Sequence, residues 1–404
     1  MVAVLVMTAS GSMLYACGSD NTNGYHNLIE PTQVAQASRP DTVHKPGSEP
    51  SSGNPTGEIN EKERYRITIN DGTFTVDRDK PIWINGVNTP WDNWNDFGGR
   101  YNDEWWDGHF KELRENGVNA SRVWINCNND QNAVIIDKNG MVSGVSDKHW
   151  ADLDMFFTTA ERQKIYIMAT FLSFDHFKSK QAENWRNMMM SDETVDSYIK
   201  HYTLPFLERY KDNPYLWSID LMNEPDWVHE NGECGQLAWE DISRFFARNA
   251  AAIRENSPVL VTVGMAFPKY NADGSGYEGN KVSDAFLQRI YANENARLDF
   301  WSTHYYDWVG QWYGIPFIST PTRPRNQGGW NLEAGRPAIL AEFSAKGSAG
   351  STLVEDFSGL IKNGWQGAMP WTSNGVDANG GFDDVTTATR HIADLYPELV
   401  FPLG

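Results

Sequence analysis

From about residue 62 onward the chain alternates between two spacings of apolar residues. Runs of six to eight mostly apolar positions recur at 82–88, 120–126, 164–171, 215–222, 258–265, 298–305, 337–343 and 366–371. Uninterrupted runs of this length read as strands buried on both faces. Between them, apolar residues recur every three or four positions, which is the spacing of a helix with one buried face. These helices are predicted at 102–116 (closed by Gly117), 147–163, 191–210 (with Ser191 as N-cap), about 236–256, 282–293, 352–363 and 384–395. In 147–163 the buried stripe is Trp150, Leu153, Phe156 and Phe157. A hairpin of 66–69 and 74–76 across Asp71-Gly72 precedes the alternation. Eight strands in strict β-α order predict an α/β fold, a closed (β/α)8 TIM barrel, over 61–404. A doubly wound open sheet would alternate too, but no Gly-rich phosphate loop follows the first strand.

Residues 1–60 show neither spacing. Positions 1–16 are apolar but too short to span a bilayer as a helix, and they end in Leu14-Tyr15-Ala16-Cys17. That ending resembles a bacterial lipoprotein cleavage box with Cys17 as the acylated residue, although no Lys or Arg precedes the apolar run. The expectation is a lipoprotein-type signal over 1–17, with a cleaved secretory signal as the alternative. Residues 18–60, rich in Ser, Asn, Pro, Gly and Thr, cannot bury enough apolar area to offset their ordering entropy and read as a flexible linker. The chain is therefore expected to be exported, as a cell-envelope lipoprotein (outer surface or periplasm) or secreted. Membrane contact would come only through a lipid anchor.

The net charge of −19 argues against nucleic acid and anionic membrane surfaces as partners, because both would repel it. The 17 tryptophans exceed what packing usually needs, and aromatic faces stack on sugar rings; ordinary core Trp is the plainer reading. Three cysteines are too few for a disulfide framework. Cys127 and Cys234 could both reach one barrel face, so a bridge between them is one outcome and two free thiols the other. The nine histidines include no His-x-His pair, the usual ligand spacing of barrel metallohydrolases, so no metal and no cofactor is expected. The acidic stretch 377–384 reads as a solvated loop or, less simply, a calcium site.

Barrel active sites lie at the C-terminal ends of the strands. Here those ends carry Asn88, Arg122, Asn126, Asp175, His176, Asn223, Glu224, His304, Tyr306, Glu342, Trp371, Ser373 and Asn374. Two carboxylates on such ends, Glu224 and Glu342, suit cleavage of a glycosidic bond, which is usually done by a pair of acids. Each has a plainer reading. Glu224 could favour a helix N-terminus, and Glu342 could be a buried ion-pair partner of Arg122.

Five features in order, Arg122-Val123-Trp124, Asn223-Glu224-Pro225, His304-Tyr305-Tyr306, Glu342 and Trp371, resemble clan A glycoside hydrolases, most closely glycoside hydrolase family 5, over about 62–404. The resemblance implies a retaining hydrolase with Glu224 as acid/base and Glu342 as nucleophile. Arg122 and Tyr306 would hold Glu342 ionised, Asn223 the sugar 2-hydroxyl, His304 the site's orientation, and Trp371 the floor beneath the sugar. His176 would be either the strand-three histidine of relatives or a packed side chain. Trp91, Trp94, Trp227, Trp308 and Trp312 lie in loops on the same side and could stack further sugars. Long loops at 89–101, 126–146 and 306–335 suggest a cleft for internal cleavage. Arg122-Val123-Trp124 leans toward β-1,4-mannanases, whereas many endoglucanases of the family carry a proline two residues after the arginine. The expected substrate is a β-linked polysaccharide, most simply β-mannan, cut by a monomer. An endo-β-1,4-glucanase, an exo-acting β-mannosidase and a non-catalytic glycan-binding barrel are the alternatives.

Overall fold

The computed structural model describes residues 61–404; the expected signal, Cys17 and the 18–60 linker lie outside the described residues. Eight strands form the barrel: β1 (Ile84–Asn88), β2 (Ala120–Trp124), β3 (Tyr166–Ser173), β4 (Leu216–Asn223), β5 (Leu260–Met265), β6 (Trp301–Tyr305), β7 (Ala338–Phe343) and β8 (Gly367–Ala368). Each pairs in parallel with the next, and β8 pairs with β1 to close the ring. All eight residues of β3 and of β4 are buried, which is why their sequences read as mostly apolar runs. The last strand is shorter than its expected run because Pro370 has no N–H for the ladder. The backbone rejoins at Trp371, whose N–H reaches Phe343 O at 2.8 Å.

The apolar residues divide into two layers. Ile84, Ala120, Met168, Ile339 and Met369 fill the barrel interior, while Val123, Ile167, Ile219 and Leu340 face the helices. The N-terminal hairpin, Thr68–Asn70 paired with Thr73–Val76, turns through Asp71 and Gly72, both left-handed as a type I′ turn requires. Its Phe74 packs edge-on against Trp217 and Phe300, at ring separations of 5.4 and 5.2 Å. That contact stops the barrel at the end where the strands begin.

Helix ends follow the chemistry of their caps. Asn102 caps Asp103–Glu115 and Ser146 caps Asp147–Gln163, each accepting a backbone N–H. Ser191 caps as expected, but the helix it starts is broken into Asp192–Tyr198, a π turn at Ile199–Thr203, and Leu204–Tyr210. Pro205 explains the break, since it removes one i→i−4 bond and the turn widens to accommodate it. The helix Ala182–Met189 and the hairpin Val134–Ile136 with Val142–Val145 were not foreseen. The hairpin tip lies directly on that helix: a Cβ on Gly140 would stand 2.3 Å from Met188 N.

The Cys127–Cys234 bridge is not formed, and both thiols are free and buried. Cys127 packs with Trp124 and Trp371, whereas Cys234 belongs to the outer layer, with its sulfur toward Phe174 O. Among the described residues no helix is long and apolar enough to cross a membrane.

Candidate active site

Glu224 follows the last residue of β4 and takes a left-handed backbone, φ 49° and ψ 57°. For a residue with a Cβ this costs about 1–2 kcal/mol. The conformation is held by its N–H, which donates to Gly264 O at 2.8 Å, and by Pro225, which opens the next short helix. The bend swings the carboxyl over the barrel mouth. There Oε2 accepts from Trp227 Nε1 at 3.0 Å, and Oε1 lies 2.9 Å from His304 Nδ1.

Glu342 reaches the same place by a register change. Ile339 and Ala341 of β7 face the interior and Leu340 faces the helices, so strict alternation would turn residue 342 outward. Pairing with β6 slips between Thr303 and His304, so that His304 stands opposite Glu342 and Ala341 is the extra residue. The irregularity re-aims the glutamate into the barrel. Its Oε2 accepts from Arg122 Nη1 at 2.9 Å and its Oε1 from the Tyr306 hydroxyl at 2.9 Å.

Arg122 organises the floor. Nε and Nη2 donate to Asp220 Oδ2 at 3.0 and 2.7 Å, and Nη2 also to Asn223 Oδ1 at 2.8 Å. Nη1 donates to Glu342 and, at 3.3 Å, to Asn88 Oδ1. All five N–H groups of the guanidinium are therefore used, and its plane lies 4.3 Å above the Trp124 ring. With the Asn223 amide oxygen committed to Arg122, its NH2 is the end left to meet a ligand.

One oxygen from each glutamate and a nitrogen of His304 lie within 4.8 Å of one another. Facing oxygens this close suit acid pairs that act with a covalent intermediate (carboxyls about 5–5.5 Å apart) better than those that lodge a water between them (about 6.5–9.5 Å). The same three groups are metal-type donors. However, Arg122 already occupies Glu342 Oε2 and places a positive charge where a cation would sit, so the set fits a proton and a nucleophile better than an ion.

Burial dominates the electrostatics. It pushes the Glu224 carboxyl up to about 7, against the pull of Arg122 and the Trp227 hydrogen bond. Burial also takes His304 down to about 4, so the ring is neutral. Its Nε2 has no hydrogen-bond partner and lies against Gly264, which favours the tautomer with its proton on Nδ1, aimed at Glu224. For Glu342, burial and the neighbouring Glu224 raise the carboxyl above its ordinary value, while His304, Arg122 and Tyr306 pull it down. Arg122 and Tyr306 were expected to leave Glu342 on the acidic side; they only moderate a rise that desolvation causes. The two acids still differ in kind, because Glu342 touches a cation and Glu224 touches neutral donors.

Aromatic residues wall the site on two sides. Trp371 donates its indole N–H to Asp377 at 2.8 Å and meets Trp124 and Trp91 edge-on, with Trp94 behind Trp91. On the Glu224 side Trp227, Phe267, Trp308 and Trp312 run outward in successive ring contacts, ending at Trp312, which is 64% exposed. Trp227, one of the loop tryptophans offered as stacking surfaces, is a hydrogen-bond donor to the acid.

Other expected residues serve the scaffold. His176 is fully buried, its Nδ1 takes the Ser173 N–H to complete a capping box, and its ring packs edge-on against Trp185; its hydrogen bonds do not go to either glutamate. Asn126 holds its own turn through Asn129, and Asp175 pairs with Lys178. Ser373 bonds Thr89 and His109, and Asn374 holds the Trp91 carbonyl. In the acidic stretch, Asp384 caps the helix Phe382–Leu395 through Gly381 N. Three site residues went unforeseen. Asp220 had a signal, a lone charge inside an apolar run. Gly264 had none. Asp226, pushed up to about 7 by burial, accepts from Ala266 and Phe267 N–H and ties the Glu224 turn to the end of β5.

No family model matches the chain. A mannan endo-1,4-beta-mannosidase from Mytilus edulis is 26% identical over 341 residues, covering 77% of this chain and 89% of that protein. One from Cryptopygus antarcticus is 24% identical over 321 residues, covering 72% and 81%. The solved beta-mannanase structure from Mytilus edulis superposes with a TM-score of 0.71 at 24% identity, covering 81% of this chain and 96% of that one. The structural likeness shows the (β/α)8 fold.

Proposed function

We propose that this chain is a retaining endo-β-1,4-mannanase of glycoside hydrolase family 5. One observation carries the chemistry: two buried glutamates with facing oxygens within 4.8 Å, one held by a cation and a phenol, the other by neutral donors. The names of the two curated relatives support mannan as the polymer.

The geometry implies a sequence of events. Glu224, protonated near neutral pH, donates to the leaving glycosidic oxygen while Glu342 attacks the anomeric carbon. That transfer leaves Glu224 ionised, and because esterification removes the negative charge of Glu342 while Arg122 keeps its positive charge, the ionised form of Glu224 is favoured in the glycosyl-enzyme. It then takes a proton from water, the resulting hydroxide equivalent attacks the anomeric carbon, and Glu342 departs as a carboxylate. Arg122 and Tyr306 stabilise that departing charge with hydrogen bonds already in place. The Asn223 NH2, aimed by Arg122, is offered to the sugar 2-hydroxyl.

The test is release of reducing ends from mannan and from carboxymethyl-cellulose by wild type, Glu224→Ala and Glu342→Ala. Wild type is expected to prefer mannan, and each variant to fall by about 10²–10⁴-fold or more. Equal activity in all three would end the reading. An NMR time course should show the retained anomer first.

The leader supports a further part of the reading, that the protein is exported and acylated at Cys17. Incorporation of labelled fatty acid into wild type but not into Cys17→Ser is the expected result.

A further inference from the structure

We propose that Asp220, in the middle of β4, is a positioning residue that fixes the Arg122 guanidinium and divides its charge, and thereby sets the proton affinities of both glutamates. The inference rests on the hydrolase reading above.

The Asp220 side chain is fully buried, and a carboxylate is kept in such a place only when it is paired and hydrogen-bonded. Its Oδ2 accepts from Arg122 Nε and Nη2 and from Thr170 Oγ1 at 3.3 Å. Its Oδ1 accepts the N–H of Gly264 at 2.9 Å and of Met222 at 3.3 Å. The carbonyl of the same Gly264 receives the Glu224 N–H. One carboxylate thus braces the cation beside Glu342 and, through a single residue of β5, the strained backbone beneath Glu224.

The guanidinium stands between Asp220 and Glu342, presenting its Nε/Nη2 edge to one and Nη1 to the other. Asp220 therefore acts through Arg122 and not on a reacting atom. A single positive charge serves two carboxylates in direct contact with it, and each weakens its hold on the other. Facing Glu342 are Arg122, His304, Tyr306 and Glu224. Facing Glu224 are His304, Arg122, Glu342, Tyr306, Asp175 and Lys178, with Asp226 behind it. Removing the Asp220 charge turns the whole field of Arg122 on these two acids and lowers both proton affinities.

The experiment measures kcat/KM against pH on a defined manno-oligosaccharide for wild type, Asp220→Asn and Asp220→Glu, with folding checked by thermal unfolding. In Asp220→Asn both limbs of the bell are expected at lower pH, by on the order of one unit. Its kcat should fall while KM stays within about a factor of two, since no sugar contact is lost. Asp220→Glu keeps the charge and should keep the wild-type limbs even with a reduced kcat. Wild-type limbs in a folded Asp220→Asn, limbs moved upward, or displaced limbs in Asp220→Glu would each overturn the proposal. Should Asp220→Asn fail to fold, adding Arg122→Met and Glu342→Gln removes all three buried charges together and is expected to restore folding; if it does not, the brace is wrong. Wild-type inactivity on every oligosaccharide ends the hydrolase reading instead, and the triple substitution then tests the brace by itself.

Discussion

Replacing Gly264 by alanine tests whether the floor of the site is as tightly built as described. A Cβ there would stand 2.8 Å from Arg122 Nη2, 2.9 Å from His304 Nε2 and 3.1 Å from Asp220 Oδ2. The backbone of Gly264 needs no special φ, so the demand for glycine is one of space alone. To reach ordinary contact, Arg122 and His304 must each retreat by roughly half an ångström. Neither is free to do so, because the guanidinium has five hydrogen bonds to keep and the imidazole one to Glu224. Overpacking of this kind costs about 1–3 kcal/mol, which lowers Tm by a few degrees. Misplacing the groups around a nucleophile by an ångström costs about 10²-fold in rate, so half of that displacement should reduce kcat by roughly 10-fold to 10²-fold. Oligosaccharide hydrolysis and differential scanning calorimetry measure the two effects side by side. Wild-type kcat with an unchanged Tm would show space where the structure has none, and the reasoning would fail.

Glu224 should leave a mark on both activity and stability. kcat/KM is expected to fall as pH rises through about 7, where the acid loses its proton. The folded state holds that proton at pH values where the unfolded carboxyl has released it. Stability therefore falls as pH climbs from the ordinary carboxyl range toward 7 and levels off above. Glu224→Gln cannot ionise, so urea unfolding should show the gap between variant and wild type moving in the variant's favour by on the order of 3 kcal/mol from about pH 4 to about pH 8. A pH-independent gap would contradict the assignment. Trp227→Phe removes a donor to ionised Glu224 and should move the basic limb upward by up to about one pH unit, visible in the rate profile. Cys127 and Cys234 should react with a thiol reagent only on unfolding, and a reductant should leave Tm unchanged.

The barrel was legible because strands buried on both faces must be mostly apolar, and β3 and β4, buried at every position, are. Glu224, Glu342, Arg122, His304 and Tyr306 were legible because polar side chains in or just after such runs gather at the barrel end where active sites lie, in the order the family resemblance implies. What could not be read depends on register and approach. The slip at Thr303/His304 turns Glu342 inward against the period of its own strand. Gly264 matters through what β2, β4 and β6 press against it. Trp227 looks like any loop tryptophan until its N–H is found on Glu224. Pro205 marked the break in the 191–210 helix, but a helix tolerates proline near a start, so the residue alone did not say which.

Arg122 has one further consequence, for how this site can change over generations. Its hydrogen bonds go to Asn88, Asp220, Asn223 and Glu342, on three strands besides its own, of which only β1 is its neighbour in the ring. Any one of those acceptors altered alone leaves a buried donor without a partner, so nearly every single step from this sequence leads downhill. Variant libraries built one position at a time should find these five residues invariant, and recovered function should appear only in combinations that change several of them at once.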